Sequence, residues 1–233
     1  MANKTLSPNG SILLAGSGGT LVTSAGTWTF GTATASGGNV IFLNGQVAAG
    51  GSATELLIAD GQVYADNSQG NWYEYVNGSW KSAASPLPAT PATSLTVPEN
   101  AGATAIGIAA PTDPNYAASQ LSVQVTGLPS DGTVLLSNGT AVTSGETLTV
   151  AQLTGLKFQP TAGAFGQSSS FTYTVTDPSG LSTTGSATLA IGPDTVAPTA
   201  SPASLTVAEN AGATAIGIAA RSEERRVGKE CVP

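Results

Sequence analysis

Two kinds of side chain in this 233-residue chain have the chemistry to act on another molecule, carboxylates and aromatic rings, and histidine is absent. The one cysteine is Cys231. Imidazole acid–base chemistry, Ser–His and Cys–His nucleophiles, thiolate or imidazole zinc sites and disulfides are thereby excluded. The chain has 14 Asp and Glu against 7 Lys and Arg; the carboxylates ahead of Arg221 are scattered singly, so no pair is poised for glycoside hydrolysis and the chain is expected not to be an enzyme. The rings cluster. All three tryptophans (Trp28, Trp72 and Trp80) lie with Tyr64, Tyr73 and Tyr75 in the first eighty residues. Exposed, the rings of Trp28, Trp72, Trp80, Tyr73 and Tyr75 would stack on sugars while Asp66, Asn67 and Glu74 bond the hydroxyls. The same rings would equally furnish the core that so small a module needs.

Charge narrows the partners. Ahead of Arg221 the only basic residues are Lys4, Lys81 and Lys157, against eleven acids, a net charge of −8. Such a chain has no electrostatic footprint for nucleic acid or anionic lipid. No apolar run approaches the length of about eighteen residues that a membrane span requires, so membrane insertion is not expected. The N-terminal string carries a lysine without an apolar segment after it and does not read as a Sec signal peptide. With 9% charged residues, the polar surface comes from Thr and Ser, as suits half-buried strands.

The elements that must position these groups are strands throughout, and no stretch has convincing helical periodicity. Residues 5–82 read as a small β-meander of five or six short strands. Asn44–Gly45, Asp60–Gly61 and Asn77–Gly78 mark its hairpins, since these pairs favour type I′ turns. A Pro/Ala-rich linker, residues 83–93, should be extended and semi-rigid. Residues 94–192 read as a complete antiparallel β-sandwich repeat of about nine short strands with Greek-key, immunoglobulin-like architecture. Its core candidates are Leu156, Phe158, Phe165, Phe171 and Tyr173. Thr147–Leu156 is assigned to strand and corner on its Thr and Val content. After a linker at 193–203, residues 204–220 restart the repeat: they match 94–110 at every position but one, Ala208 standing where Pro98 stood. Lacking the rest of a domain, that segment should be disordered or borrow a sheet edge, and the chain is expected to be part of a longer tandem array.

The strings VPENAG (97–102), APTDPN (110–115), GTVLLSNGTAV (132–142), LTVAQLTGLKFQP (148–160) and FTYTVTDPSG (171–180) occur in order. In them the chain resembles the cadherin-like tandem repeats of large bacterial surface and type I-secreted adhesins. The resemblance implies a cell-adhesion or stalk protein, extracellular or at the cell surface and exported without a Sec signal. Its implied partners are neighbouring repeats, surface or matrix glycans, or further copies of itself, and calcium is the implied cofactor. Glu99 would match the family's Glu-Asn, Asp113 the acidic loop and Asp177 the late-strand acid. Asp194 lies in the following linker, and Glu209 repeats Glu99. Glu99, Asp113 and Asp177 are expected to gather near one pole, although Asn115 stands where a second acid would help, and Asp113 and Asp177 equally suit turns. The first linker has no acid, so no calcium shared with the N-terminal module is expected.

GNWYEYVNGSW (70–80) resembles short aromatic modules that accompany glycan-degrading enzymes in bacterial secreted proteins, which makes a carbohydrate-binding accessory module the rival reading. Residues 221–233 resemble the translation of a sequencing-adapter read-through.

Overall fold

The computed structural model describes residues 4–193, 204–210, 212–213 and 215–216. The N-terminal module contains nine strands. They are β1 (Ile12–Leu14), β2 (Leu21–Thr23), β3 (Gly26–Ala35), β4 (Gly38–Leu43), β5 (Gln46–Ala53), β6 (Glu55–Ala59), β7 (Gln62–Asp66), β8 (Trp72–Val76) and β9 (Ser79–Ala83). β2-β3-β4-β5 form one sheet and β1-β6-β7-β8-β9 a second, with antiparallel pairing throughout. The expectation of five or six strands was too low. β3 (GTWTFGTATA) and β5 (QVAAGGSA) are built largely of Gly, Ala, Thr and Ser, which write no clear apolar alternation into the sequence.

All three hairpin dipeptides take paired positive φ: 52° and 78° at Asn44–Gly45, 49° and 73° at Asp60–Gly61, 50° and 80° at Asn77–Gly78. These are the values a type I′ turn demands. Leu13, Leu21, Trp28, Ile41, Leu56 and Ile58 fill the space between the sheets. β6 is buried from Leu56 to Ala59 without a break. Alternation sends Leu56 and Ile58 into this core and Leu57 and Ala59 to the opposite face, so that face too is covered.

The second module holds β10 (Thr93–Val97), β11 (Thr104–Ala105), a 3₁₀ turn (Ala118–Gln120), β12 (Ser122–Gly127), β13 (Gly132–Leu135), β14 (Thr147–Leu148), α1 (Val150–Thr154), β15 (Lys157–Pro160), β16 (Ser168–Thr176) and β17 (Ser182–Ile191). Sheets β10-β17-β16-β12-β14 and β11-β15-β13 enclose Val123, Val125, Phe158, Phe171, Tyr173 and Leu189. This is an immunoglobulin-like β-sandwich. One pairing departs from the antiparallel expectation: β10 runs parallel to β17, from Thr93 opposite Ala187 to Val97 opposite Ile191. The Tyr173 ring lies across Gly185 on the next strand, where an added Cβ would come within 2.4 Å of it.

Two local expectations, at Thr147–Leu156 and at Phe165, are corrected. Val150–Thr154 is helical because Thr149 and Gln152 form a capping box: the Gln152 N–H donates to the Thr149 hydroxyl at 3.2 Å and the Thr149 N–H to the Gln152 side-chain carbonyl at 2.8 Å. Thr140–Thr143 makes one isolated bridge, Ala141 to Leu135, and no strand. Phe165 is 38% exposed, because it falls in the loop between β15 and β16, off the strand alternation that buries Phe158 and Phe171.

In the second copy of the repeat, residues 204–208 form no strand, and Leu205, Val207 and Ile216 are exposed. Asp194 and residues 221–233 lie outside the described residues. Among the described residues no helix is long and apolar enough to cross a membrane.

Candidate functional site: the junction and the aromatic pocket

The aromatic set divides three ways. Trp28 is 1% exposed; its indole N–H donates to Thr23 Oγ1 at 2.9 Å, and its ring meets Tyr75 and Trp80 edge-on at 4.8 and 5.8 Å. It is core and offers no stacking face, which corrects the sugar-facing expectation for this residue. Tyr75, 5.0 Å from Trp80, packs with it against the same core. Trp72 sits on the other face of its sheet with Tyr64 and Leu87, around Leu57, Ala59 and Leu181. Tyr73 and Trp80 line a cavity of about 230 Å³ between the two sheets.

The candidate acids divide by the ends of the sandwich. Asp113 and Asp177 lie at the end facing the N-terminal module, and each builds a turn. The Asp113 carboxylate accepts from the Asn115 and Tyr116 N–H groups at 2.8 and 2.9 Å. Asp177, 6% exposed, accepts from the Leu181 N–H at 2.9 Å and from the Ser179 hydroxyl at 2.9 Å. These turns dock on the neighbouring module. The first presents Tyr116 and Asn115 to the Asp60 carboxylate, at 3.3 and 3.4 Å. The second inserts Leu181, 2% exposed, against Leu57 and Ala59. Burial, then the nearby Asp60 charge, pushes the Tyr116 phenol above its ordinary pKa. The stretch 83–93 is held in the same joint: Leu87 packs there, Ala89 exchanges backbone hydrogen bonds with Thr112 at 2.7 and 3.1 Å, and the Thr90 hydroxyl donates to the Thr184 carbonyl.

Glu99 lies at the opposite end. It follows β10, whose last residue Val97 pairs with Ile191 at the exit of β17, whereas Asp177 precedes the entry of β17 at Ser182. Ten residues of strand at about 3.3 Å each separate the two, so Glu99, Asp113 and Asp177 do not gather at one pole. Among the described residues no three acidic, histidine or cysteine side chains come together as a metal-binding group.

A further acid stands at the Glu99 end, one that sequence reasoning missed. Asp131 is 3% exposed, accepts from the Ser169 hydroxyl through Oδ1, and its buried Oδ2 has no hydrogen-bond partner. Its string, Ser130-Asp131-Gly132, reads as an ordinary turn, and nothing in it foretells the burial. Glu209 is exposed in the second copy.

Residues 85–190 match the family model of the bacterial Ig domain. No curated protein matches the chain. The Ig match begins inside the Pro/Ala stretch, in keeping with the contacts that tie Leu87, Ala89 and Thr90 to the joint. Beside it, the N-terminal module contributes the cavity and half of the junction.

Proposed function

We propose that this chain is a non-catalytic, load-bearing segment of a bacterial surface or extracellular protein, a spacer that carries adhesive parts away from the cell. The parallel pairing of β10 with β17 is the observation that carries this reading. Tension applied along the chain enters at Thr93 and leaves at Ile191 and pulls the two strands in opposite directions along their own axes. The ladder from Thr93–Ala187 to Val97–Ile191 is then sheared, with all its hydrogen bonds loaded together. Force spectroscopy tests it. Pulling through Thr93 and Ile191 should require several times the force needed through Thr93 and Ser182, a geometry that peels the ladder bond by bond. Equal forces in the two geometries would remove the mechanical argument.

Calcium belongs to this proposal at one end of the Ig domain only. The N-terminal end is closed by apolar packing; Asp177 is engaged in its turn, and Asp113 through Oδ1 alone, its buried Oδ2 having no hydrogen-bond partner. The end leading to the next repeat carries Glu99 and the buried, half-satisfied carboxylate of Asp131, with Asp194 following in sequence. Carboxylate oxygens of this kind suit Ca²⁺. The chain melted in millimolar Ca²⁺ should gain about 1–2 kcal/mol over EDTA and over matched Mg²⁺, as mass action gives for a sub-millimolar site. The gain should vanish in Asp131→Asn. Identical melts in the three solutions would leave a metal-free spacer.

A further inference from the structure

The cavity of the N-terminal module combines apolar walls with a polar rim. Its floor is Ile41 and Ala65, and the rings of Tyr73 and Trp80 form walls. Trp80 is fixed before any ligand arrives. Its indole N–H donates to the Ala48 carbonyl at 2.8 Å, and its ring is braced edge-on by Trp28 and Tyr75. It also lies so close over Gly51 that a Cβ there would sit 2.1 Å from the indole nitrogen. The rim is equally fixed. The loop after β7 is stapled to the β3–β4 turn by the Ser68 N–H to Gly37 carbonyl bond, at 2.9 Å, and by the Gln69 amide to Ser36 carbonyl bond, at 3.0 Å. Asn67 Oδ1 closes the loop on itself, accepting from the Gln69 and Asn71 N–H groups at 2.9 and 3.0 Å.

These bonds also determine what is left to offer. With Asn67 Oδ1 and Gln69 Nε2 engaged, the Asn67 amide nitrogen and the Gln69 side-chain carbonyl remain as donor and acceptor, beside the hydroxyls of Ser36, Ser52 and Tyr73. No lining residue is charged; strand alternation puts Asp66 on the opposite face from Ala65 and Asn67. A phosphate, carboxylate or amine would find no counter-charge, and a purely apolar ligand would strand the polar rim. About 230 Å³ holds one six-membered ring with its substituents. We infer that this pocket binds a single neutral sugar unit, whose C–H face lies on the rings of Trp80 and Tyr73 and whose hydroxyls meet the Asn67, Gln69 and Ser52 rim. The inference is independent of the spacer role, which requires only the Ig domain and the joint.

The test is a titration of the full chain with glucose, galactose, mannose and N-acetylglucosamine, each alone and to tens of millimolar, followed by NMR of the three indole N–H signals. Trp80 lines the pocket, Trp28 is buried in the core and Trp72 lies at the junction, so at least one sugar should move the Trp80 signal and leave the Trp72 signal in place. Ser52→Phe fills the cavity and should abolish the shift. Gln69→Leu, at an exposed rim position that leaves the core untouched, should weaken binding several-fold even where the plugged variant folds poorly. No movement of Trp80 with any of the four sugars, or movement undiminished in Gln69→Leu, would overturn the assignment.

Discussion

Glu55 and Asp66 stand directly opposite one another across β6 and β7. Burial first, and then the Asp66 charge, raises the Glu55 pKa above its ordinary 4.5. Burial likewise raises Asp66, against the lowering effect of the Asn67 N–H bond, and Asp66 Oδ1 is buried without a partner. A carboxylate whose pKa is higher in the folded than in the unfolded chain opposes folding wherever it is ionised. The cost is absent below the unfolded value, grows as pH rises from there through the raised folded value, and is complete above it. Glu55→Gln should therefore stabilise the chain at neutral pH by up to about 1 kcal/mol, the scale of a partly exposed charge pair. The advantage should fade on acidification towards about pH 4. Thermal melts of both proteins across that range decide it; a difference that does not change with pH would place the effect in packing instead. Asp113 and Asp177 make the complementary point. Their carboxylates shape the turns that hold the joint, a role their Asp-Pro strings already offered beside metal binding.

How much of the fold was legible element by element follows from how locally each element is determined. The three Asn–Gly and Asp–Gly turns were legible because two residues fix them. Asn100 and Asn210 show the same locality: both take left-handed φ, 56° and 64°, in the two copies of the repeat. The strand before Asn100 exists because β17 lies beside it, whereas residues 204–208, of nearly the same sequence, form none. β3 and β5 were hidden because Gly, Ala and Thr carry little hydrophobic signal. α1 was misassigned because its Thr and Val content outweighed a capping box, Thr149 and Gln152, that was present in the letters. The pocket was half legible: Tyr73 and Trp80 were named, but burial separates them from Trp28 and Trp72, and burial depends on which sheets meet. The unbroken apolar run of β6, Leu56 to Ala59, was the one sequence mark of the junction, since strands covered on both faces lose their alternation.

At the scale of the molecule, the described residues up to Pro193 form one compact unit, and what joins its two modules can be decided by magnitude. The polar contacts are long and exposed, Tyr116 and Asn115 to Asp60 at 3.3 and 3.4 Å, and such bonds contribute about 1 kcal/mol or less. The apolar group of Leu57, Ala59 and Leu181, each 2% exposed or less, is a dry core in miniature, where truncating one leucine costs about 2–5 kcal/mol. Asp60→Ala should accordingly leave the joint intact. Leu181→Asp, which forces a charge into that core from the tip of a turn, should release it while each module keeps its own sheets. NMR relaxation reads the difference. In the parent chain and in Asp60→Ala the amides of the two modules should share one tumbling time; in Leu181→Asp they should separate into two, the smaller N-terminal module becoming the faster. If Leu181→Asp still tumbles as one body, the hydrogen bonds to Asp60 hold the joint, and the apolar trio is only its filling. A joint that opens instead would make the rigidity of this unit a property of three side chains, with Leu57 and Ala59 supplied by the module that lies outside the Ig match.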